Sequence, residues 1–489
     1  MSITDRTGFA NRTGRANPIG PADPTVQSES PGRPFFTLQE SPSWLVSLVI
    51  HVAVILMLAL IPLSGQLKSS ISIFLGNSDE FGSDDMSVVQ IQPEPSVDSD
   101  AASLEVLPTL NDLVMSEIAP KLDANPEISI ELPIRNGLRG RTGPMKEALL
   151  KAYGGTRGTE DAVAAGLEWL ARNQKSDGSW SLVGSYTDGG TMENKPAATA
   201  MALLAFMGAG NTHKTGTYQD RVRKGIDFLI KIQNRDGFFA DQAAGNQRTY
   251  AHAQAAIAIC ELYGMTGDES LREPAQKSVK YNEKSQSKNG GWRYQPKEGG
   301  DTSVTGWYVM ALISARMAGL DVDSECLERV HRFLDSVQRQ GRSNRSDPDG
   351  ERYAYQSYTT PTPSMTAEGM LCRLYLGWET NDSRIARGAE YLLGNPIEIA
   401  QDRISYYYWY YATTTIHHIG GPAWTEWNNT MKTELPRMQL KTGKERGSWP
   451  PEEDPHSGGG GRLYATCFAI YCLESYYRHL PLSEMASKP

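Results

Sequence analysis

Gly166-Leu-Glu-Trp-Leu-Ala-Arg-Asn-Gln174 runs into Lys-Ser-Asp177-Gly178-Ser-Trp180, and a related stretch returns as Gly225-Ile-Asp-Phe-Leu-Ile-Lys-Ile-Gln233 with Asn-Arg-Asp236-Gly237-Phe238. A third version covers Val279 to Gln286 and ends Asn289-Gly-Gly-Trp292, and a degraded one ends Lys444-Glu-Arg-Gly447-Ser-Trp449. Self-similarity at a long period is the mark of a repeat architecture. Between Trp180, Phe238 and Trp292 there is room for two helices per unit. Val163, Leu167 and Leu170 stand at i, i+4 and i+7 with charged residues on the other faces, which predicts an amphipathic helix with Thr159 as its N-cap. Val222, Ile226 and Leu229 repeat the pattern.

The second helix of each unit is different. Ala197 to Phe206, Ala251 to Leu262 and Gly306 to Leu312 are apolar or small nearly all round, as helices buried on every side are. Further inner helices are expected to begin near Thr366, Tyr406 and Arg462. The fold class is therefore all-α: an (α/α)6-type toroid of about six hairpins, amphipathic helices outside and buried ones inside. In such a ring the Gln amide satisfies helix-end backbone groups, Asp-Gly supplies the turn, and the Trp folds back as an apolar plug.

At these residues the chain resembles the prenyltransferase and squalene-oxidase repeat family, whose Gln–Trp repeats recur in squalene–hopene cyclases and protein prenyltransferase β subunits. The resemblance covers about Thr159 to Leu480 and is strong in the first three units and the last. It is nearest to membrane-anchored bacterial versions of the repeat. It implies the toroid fold, and it allows the chemistry of the family to be checked residue by residue. Cyclases protonate an alkene with an Asp-rich motif followed by Thr-Ala; here Ser364-Met-Thr-Ala-Glu368 has Ser364 at the acid position, and Asp301-Thr-Ser-Val-Thr305 keeps one Asp. Prenyltransferases bind zinc through Asp, Cys and His; the matching segments carry Asp301, Ser303 in place of Cys, and Ala465 in place of His before Cys467. The Asp-Asp-x-x-Asp of ionisation-type synthases and the Gly-Cys-Gly-Glu-Gln of thioester domains are absent. No metal site and no cofactor are implied.

Outward from the repeats, the chain of 489 residues carries a formal charge of −9. A nucleic-acid partner, which asks for a basic footprint, is excluded. Residues 1–43 are rich in Gly, Pro and Ser and are expected to be disordered in the cytoplasm. Trp44 to Leu63 is apolar and long enough to form a transmembrane helix. Arg6, Arg12, Arg15 and Arg33 before it, against Lys68 after it, predict a single-pass membrane protein with its C-terminal domain extracytoplasmic. Residues 64–158 are expected as a linker with a short helix near 145–153. Between Ser69 and Ile134 thirteen acidic residues stand against the single base Lys121, as in an extended, self-repelling tether. The negative balance thus belongs to the spacer, and the toroid is assigned to 159–489.

Candidate catalytic residues are polar groups at the starts of inner helices: Asp301, Glu368 and His252. Each has a structural alternative, a helix cap or first-turn acid for the carboxylates and a loop-bound histidine for His252. Candidate ligand-binding residues are Tyr406, Tyr408 and Trp409 in the run Tyr406–Tyr411, with Trp307, and Arg462 after the Gly458–Gly461 loop. Aromatic walls stabilise cations, stack on sugars or hold apolar groups. The expected function is binding of an apolar ligand, a glycan or a protein partner in or around the central cavity, without cyclase or transferase chemistry. The alternatives are an isoprenoid cyclase or prenyltransferase-like enzyme, and a polysaccharide-active toroid enzyme. Cys260, Cys372, Cys467 and Cys472 lie within inner helices and read as small core residues.

Overall fold

The computed structural model describes residues 137–339, 351–400 and 404–482. Contacts divide the chain into two units, 1–101 and 102–489, and every described residue lies in the second. Thirteen α-helices are present among the described residues. The first, α1 (Gly143–Tyr153), is the short helix expected near 145–153. Six amphipathic helices follow at alternate places: α2 (Arg157–Arg172), α4 (Gln219–Ile232), α6 (Glu269–Ser285), α8 (Ser324–Val337), α10 (Ser383–Leu393) and α12 (Gly421–Met438). Between them run the buried helices α3 (Lys195–Gly208), α5 (Gln247–Thr266), α7 (Thr302–Met317), α9 (Pro363–Tyr375), α11 (Tyr406–Ile419) and α13 (Ser457–Arg478). The inner six pack in order, α3 on α5, α5 on α7, α7 on α9, α9 on α11, α11 on α13, and α13 back on α3. That closure makes the unit an α/α toroid. A two-stranded ribbon, Gln338–Arg339 with Arg352–Tyr353, lies between α8 and α9.

The repeat signature is what ties one hairpin to the next. Gln174 Nε2 donates to the Gly178 carbonyl of its own turn and to Arg221 O of the next outer helix, both at 2.9 Å. Gln233 donates in the same way to Gly237 and Pro274, and Gln286 to Gly290 and Cys326. Gln439 closes the circle, donating to Gly447 O at 3.0 Å and to Ala162 O of α2 at 2.7 Å. Asp-Gly turns place Gly178 and Gly237 at positive φ, with the next outer helix's carbonyl only 2.3 Å from where a Cβ would stand. A side chain has no room there.

The plug residues are equally regular. Trp180, Trp292 and Trp449 are buried, and their indole N–H groups donate to Leu170 O, Asn282 O and Leu435 O at the ends of the preceding outer helices. In the second unit the plug is Phe239, one residue beyond the expected Phe238, and in the fourth it is Tyr353. The amide N–H of each plug donates to an inner-helix side chain: Thr199, His252, Thr305, Thr366 and Thr466.

Two expectations need correction. Helix α2 starts at Arg157 and is capped by Thr156, whose hydroxyl accepts from Thr159 N–H; Thr159 is the third helical residue, and its hydroxyl accepts in turn from Thr156 N–H. The single-pass membrane topology, with its extracytoplasmic C-terminal domain, is not supported: among the described residues no helix is long and apolar enough to cross a membrane. The longest, α5 and α13, carry Glu261, Glu474 and Arg478, which are buried in ion pairs inside the toroid. The expected span 44–63, the tail 1–43 and the linker up to residue 136 lie outside the described residues.

Replacing Gln439 by Leu keeps the side-chain volume and removes both donated hydrogen bonds. The expected loss is about 1–3 kcal/mol, seen as a lower urea midpoint with unchanged slope. An unchanged midpoint shows that the clamp does not hold the ring closed.

Candidate functional site

All six inner helices bring their N-terminal turns to one cavity of about 560 Å3. Ala197 and Met201 come from α3, Gln247, Tyr250 and Gln254 from α5, Ser303 and Trp307 from α7, Ser364 and Met365 from α9, Tyr407 from α11, and Tyr464 and Phe468 from α13. Loop residues Leu182, Tyr294, Tyr355 and His456 complete the wall. No Asp, Glu, Lys or Arg is part of this lining. Aromatic faces are packed around Trp307, which stacks on Tyr410 and meets Tyr411 and Phe468 edge-on.

Behind the wall runs a hydrogen-bond chain. Tyr250 Oη donates to Ser303 Oγ at 3.1 Å, Ser303 Oγ lies 2.7 Å from Tyr407 Oη, and Tyr407 donates to Glu368 Oε2 at 2.9 Å. Glu368 is wholly buried on α9, and burial pushes its carboxyl well above the usual carboxylate range, favouring the neutral form. It touches the cavity only through Tyr407.

The other candidates lie apart from this chain. Asp301 caps α7, its Oδ1 accepting from Val304 N–H at 2.8 Å, and Arg293 Nε stands 3.7 Å from its Oδ2. Burial raises its carboxyl to about 6. His252 Nδ1 accepts from Phe239 N–H at 3.3 Å, which leaves the ring proton on Nε2 to donate to Asn282 Oδ1 at 2.9 Å. Burial lowers its pKa to about 3, so it is a neutral histidine held at both nitrogens.

Of the expected ligand-binding residues, only Trp307 lines the cavity. Tyr406 donates to Pro450 O, Tyr408 donates to Leu392 O and Asn395 O, and Trp409 packs edge-on to Tyr406. Successive residues of a helix diverge by about 100°, so the run Tyr406–Tyr411 cannot present one wall. Tyr407 reaches the cavity itself, with Tyr410 and Tyr411 packed behind it against Trp307. Arg462 is spent on Asp188, pairing with its carboxylate while its own backbone N–H donates to Asp188 O at 2.8 Å. Ser457–Gly460 form a helical turn that a kink at Gly461 separates from the rest of α13. The Gly-rich loop is thus bound to the 187–191 segment, Gly458 O accepting from Thr191 N–H at 2.9 Å.

With the site described, the comparisons with known proteins can be placed on it. The profile of the squalene–hopene cyclase C-terminal domain matches residues 147–251. Dammaradiene synthase of Dryopteris crassirhizoma is 26% identical over 127 residues, 26% of this chain and 17% of that enzyme. A probable squalene–hopene cyclase of Sinorhizobium fredii is 29% identical over 140 residues, 27% of this chain and 20% of the relative. Residues 147–251 are thus similar to the C-terminal domain of squalene–hopene cyclases. Among solved structures, a type II terpene cyclase from Scytonema aligns at 12% identity with a TM-score of 0.47, covering 65% of this chain and 98% of that one. An alpha-1,6-mannanase from Salegentibacter sp. aligns at 11% identity with a TM-score of 0.46, again over 65% and 98%. The matched stretch spans about a fifth of the curated relatives' length. In this toroid Ser364, the position where the family resemblance implies an acid, faces the cavity.

The raised pKa of Asp301 has a sign that can be measured. A folded-state carboxyl pKa near 6, above the unfolded ~3.9, contributes stability that is complete below the unfolded value and is lost as pH rises through about 6. Asn caps a helix as well as Asp does. Asp301→Asn is therefore expected to melt progressively higher than the parent between pH 4.5 and 7.5. A melting difference that stays constant over that range contradicts the buried-carboxyl account.

Proposed function

We propose that the toroid binds a neutral, largely apolar molecule in its central cavity. One observation supports this above the others: the cavity is lined by all six inner helices and contains no Asp, Glu, Lys or Arg. Its volume lies within the ~300–1,000 Å3 typical of small-molecule sites, and such sites are mostly apolar with a few placed polar groups. A diphosphate needs several cations to offset its desolvation, which weighs against the prenyltransferase alternative. Glycoside hydrolysis needs a facing pair of carboxylates, and the cavity offers none, which weighs against the polysaccharide alternative. The terpenoid-cyclase character of the repeats agrees with a hydrocarbon-rich ligand.

Titration of the full chain with farnesol, its methyl ether and farnesyl diphosphate, followed by tryptophan emission, tests the reading. Both neutral probes are expected to bind at least tenfold more tightly than the diphosphate, and Ser364→Phe is expected to block them. A diphosphate that binds as tightly as the neutral probes overturns the proposal.

A second reading, acid chemistry on the bound molecule, rests on the neutral Glu368 carboxyl hydrogen-bonded to Tyr407 at 2.9 Å. In it the protonated carboxyl reverses that bond and donates to Tyr407 Oη, Tyr407 passes its own proton to the ligand, and Glu368 is left as the carboxylate. Conversion of squalene by the full chain, lost in Glu368→Gln while farnesol binding persists, supports it. No conversion leaves the binding role alone.

A further inference from the structure

Helix α5 turns Gln247, Tyr250 and Gln254 to the cavity, at the i, i+3 and i+7 spacing of one helix face. Two of these groups are acceptors without a matching proton. Tyr250 spends its hydroxyl proton on Ser303, which leaves only lone pairs for the cavity. Gln254, one turn further on, is 6% exposed, and its Oε1 has no hydrogen-bond partner. Leaving a buried acceptor unmet is costly, and the folded chain offers it nothing. Its donor must come from the cavity, from water or from a ligand that takes the water's place.

We propose that the molecule held in the cavity bears a free hydroxyl group that donates its proton to Gln254 Oε1, with its apolar remainder lying against Trp307, Met201 and Phe468. The inference rests on the reading of the cavity as a site for a neutral ligand and adds the functional group to it. Other donors fit less well. An ammonium entering this wall finds no carboxylate, so its desolvation goes uncompensated. An ionised carboxylate brings no proton and meets no cation. Ethers, esters and ketones accept but do not donate, so they leave Gln254 Oε1 as it stands. A hydroxyl both donates to Oε1 and accepts from the amide's own N–H groups, which matches Gln254 whichever way its amide is turned.

The test compares farnesol, farnesyl methyl ether and farnesene on the full chain by tryptophan emission, with Ser364→Phe as the control that closes the cavity. Farnesol is expected to bind about tenfold or more tightly than the ether. In Gln254→Met that preference is expected to vanish through weaker farnesol binding, with ether and farnesene affinities unchanged. Gln254 makes no hydrogen bond among the described residues, so this variant is expected to melt no lower than the parent; Gln254→Leu gives the same readout should Met disturb packing. Equal affinity for alcohol and ether in the parent, or a preference that survives both substitutions, overturns the hydroxyl inference while leaving the cavity reading intact. Failure of all three probes to bind overturns the cavity reading and this inference with it.

Discussion

Four of the six outer helices are followed at once by a glutamine whose amide binds its own turn to a carbonyl of the next outer helix, and the rest of the ring depends on that link. Each amide has two N–H groups, and each spends one on its own turn and one on the next outer helix. Because the second bond always reaches forward, the pattern is directional, and only a closed ring leaves no unit unmatched. Closure happens where Gln439 reaches Ala162, 277 positions earlier in the chain. Where the signature is degraded, another device takes over. Gln338, at the end of α8, turns its carbonyl to the buried Arg373, which also binds Tyr353 Oη and pairs with Asp335. Buried charge thus does between α8 and α9 what neutral amides do elsewhere.

Ring closure in turn decides where charge can go. The inner helices run with their N-terminal turns at the cavity and their C-terminal ends at the opposite side, where exposed carbonyls favour cations. There Arg141 donates to Arg478 O at 2.8 Å and to Met207 O, and Arg478 donates to Leu204 O at 2.9 Å. Glu261 and Glu474 neutralise the two arginines. Breaking such a buried pair typically costs about 3–5 kcal/mol, so the segment before α1 is a working part of the toroid. The Arg462–Asp188 pair is likewise committed to holding two loops together. With these cations and anions used in this way, no Asp, Glu, Lys or Arg lines the central cavity.

Much of this was legible in the sequence because it is local. Gln, Asp-Gly and Trp sit within seven residues of one another, and the alternation of amphipathic and uniformly apolar helices separates outer from inner. What resisted reading depends on direction and on variable loops. In a run of six aromatics every residue looks like a ligand contact, and only the helix phase separates Tyr407 from Tyr406, Tyr408 and Trp409. The role of His252 was hidden for a different reason. It replaces the threonine that binds the plug's amide, and the spacing from plug to partner is 13 residues at His252, Thr305 and Thr366 but 19 at Thr199 and 17 at Thr466. Loop-length variation blurs that column of the repeat. Gln254 carries no motif at all; its meaning lies in having no partner, which only packing reveals.

The residues at the positions where the family resemblance implies catalytic groups share one property. Ser364 stands at the acid position and Ser303 at the thiolate position, both facing the cavity, while Ala465 at the imidazole position is buried in α13. Each of these side chains is small and neutral. Among the carboxyls close to the lining, Glu368 sits behind Tyr407, where burial favours its protonated form. An ionised group in this position would have to be stabilised by a cation, and the surrounding side chains Tyr407, Tyr411, Ser303 and Trp307 provide none. Small neutral side chains at those positions and a buried carboxyl favoured in its neutral form behind the wall are therefore consistent with one another.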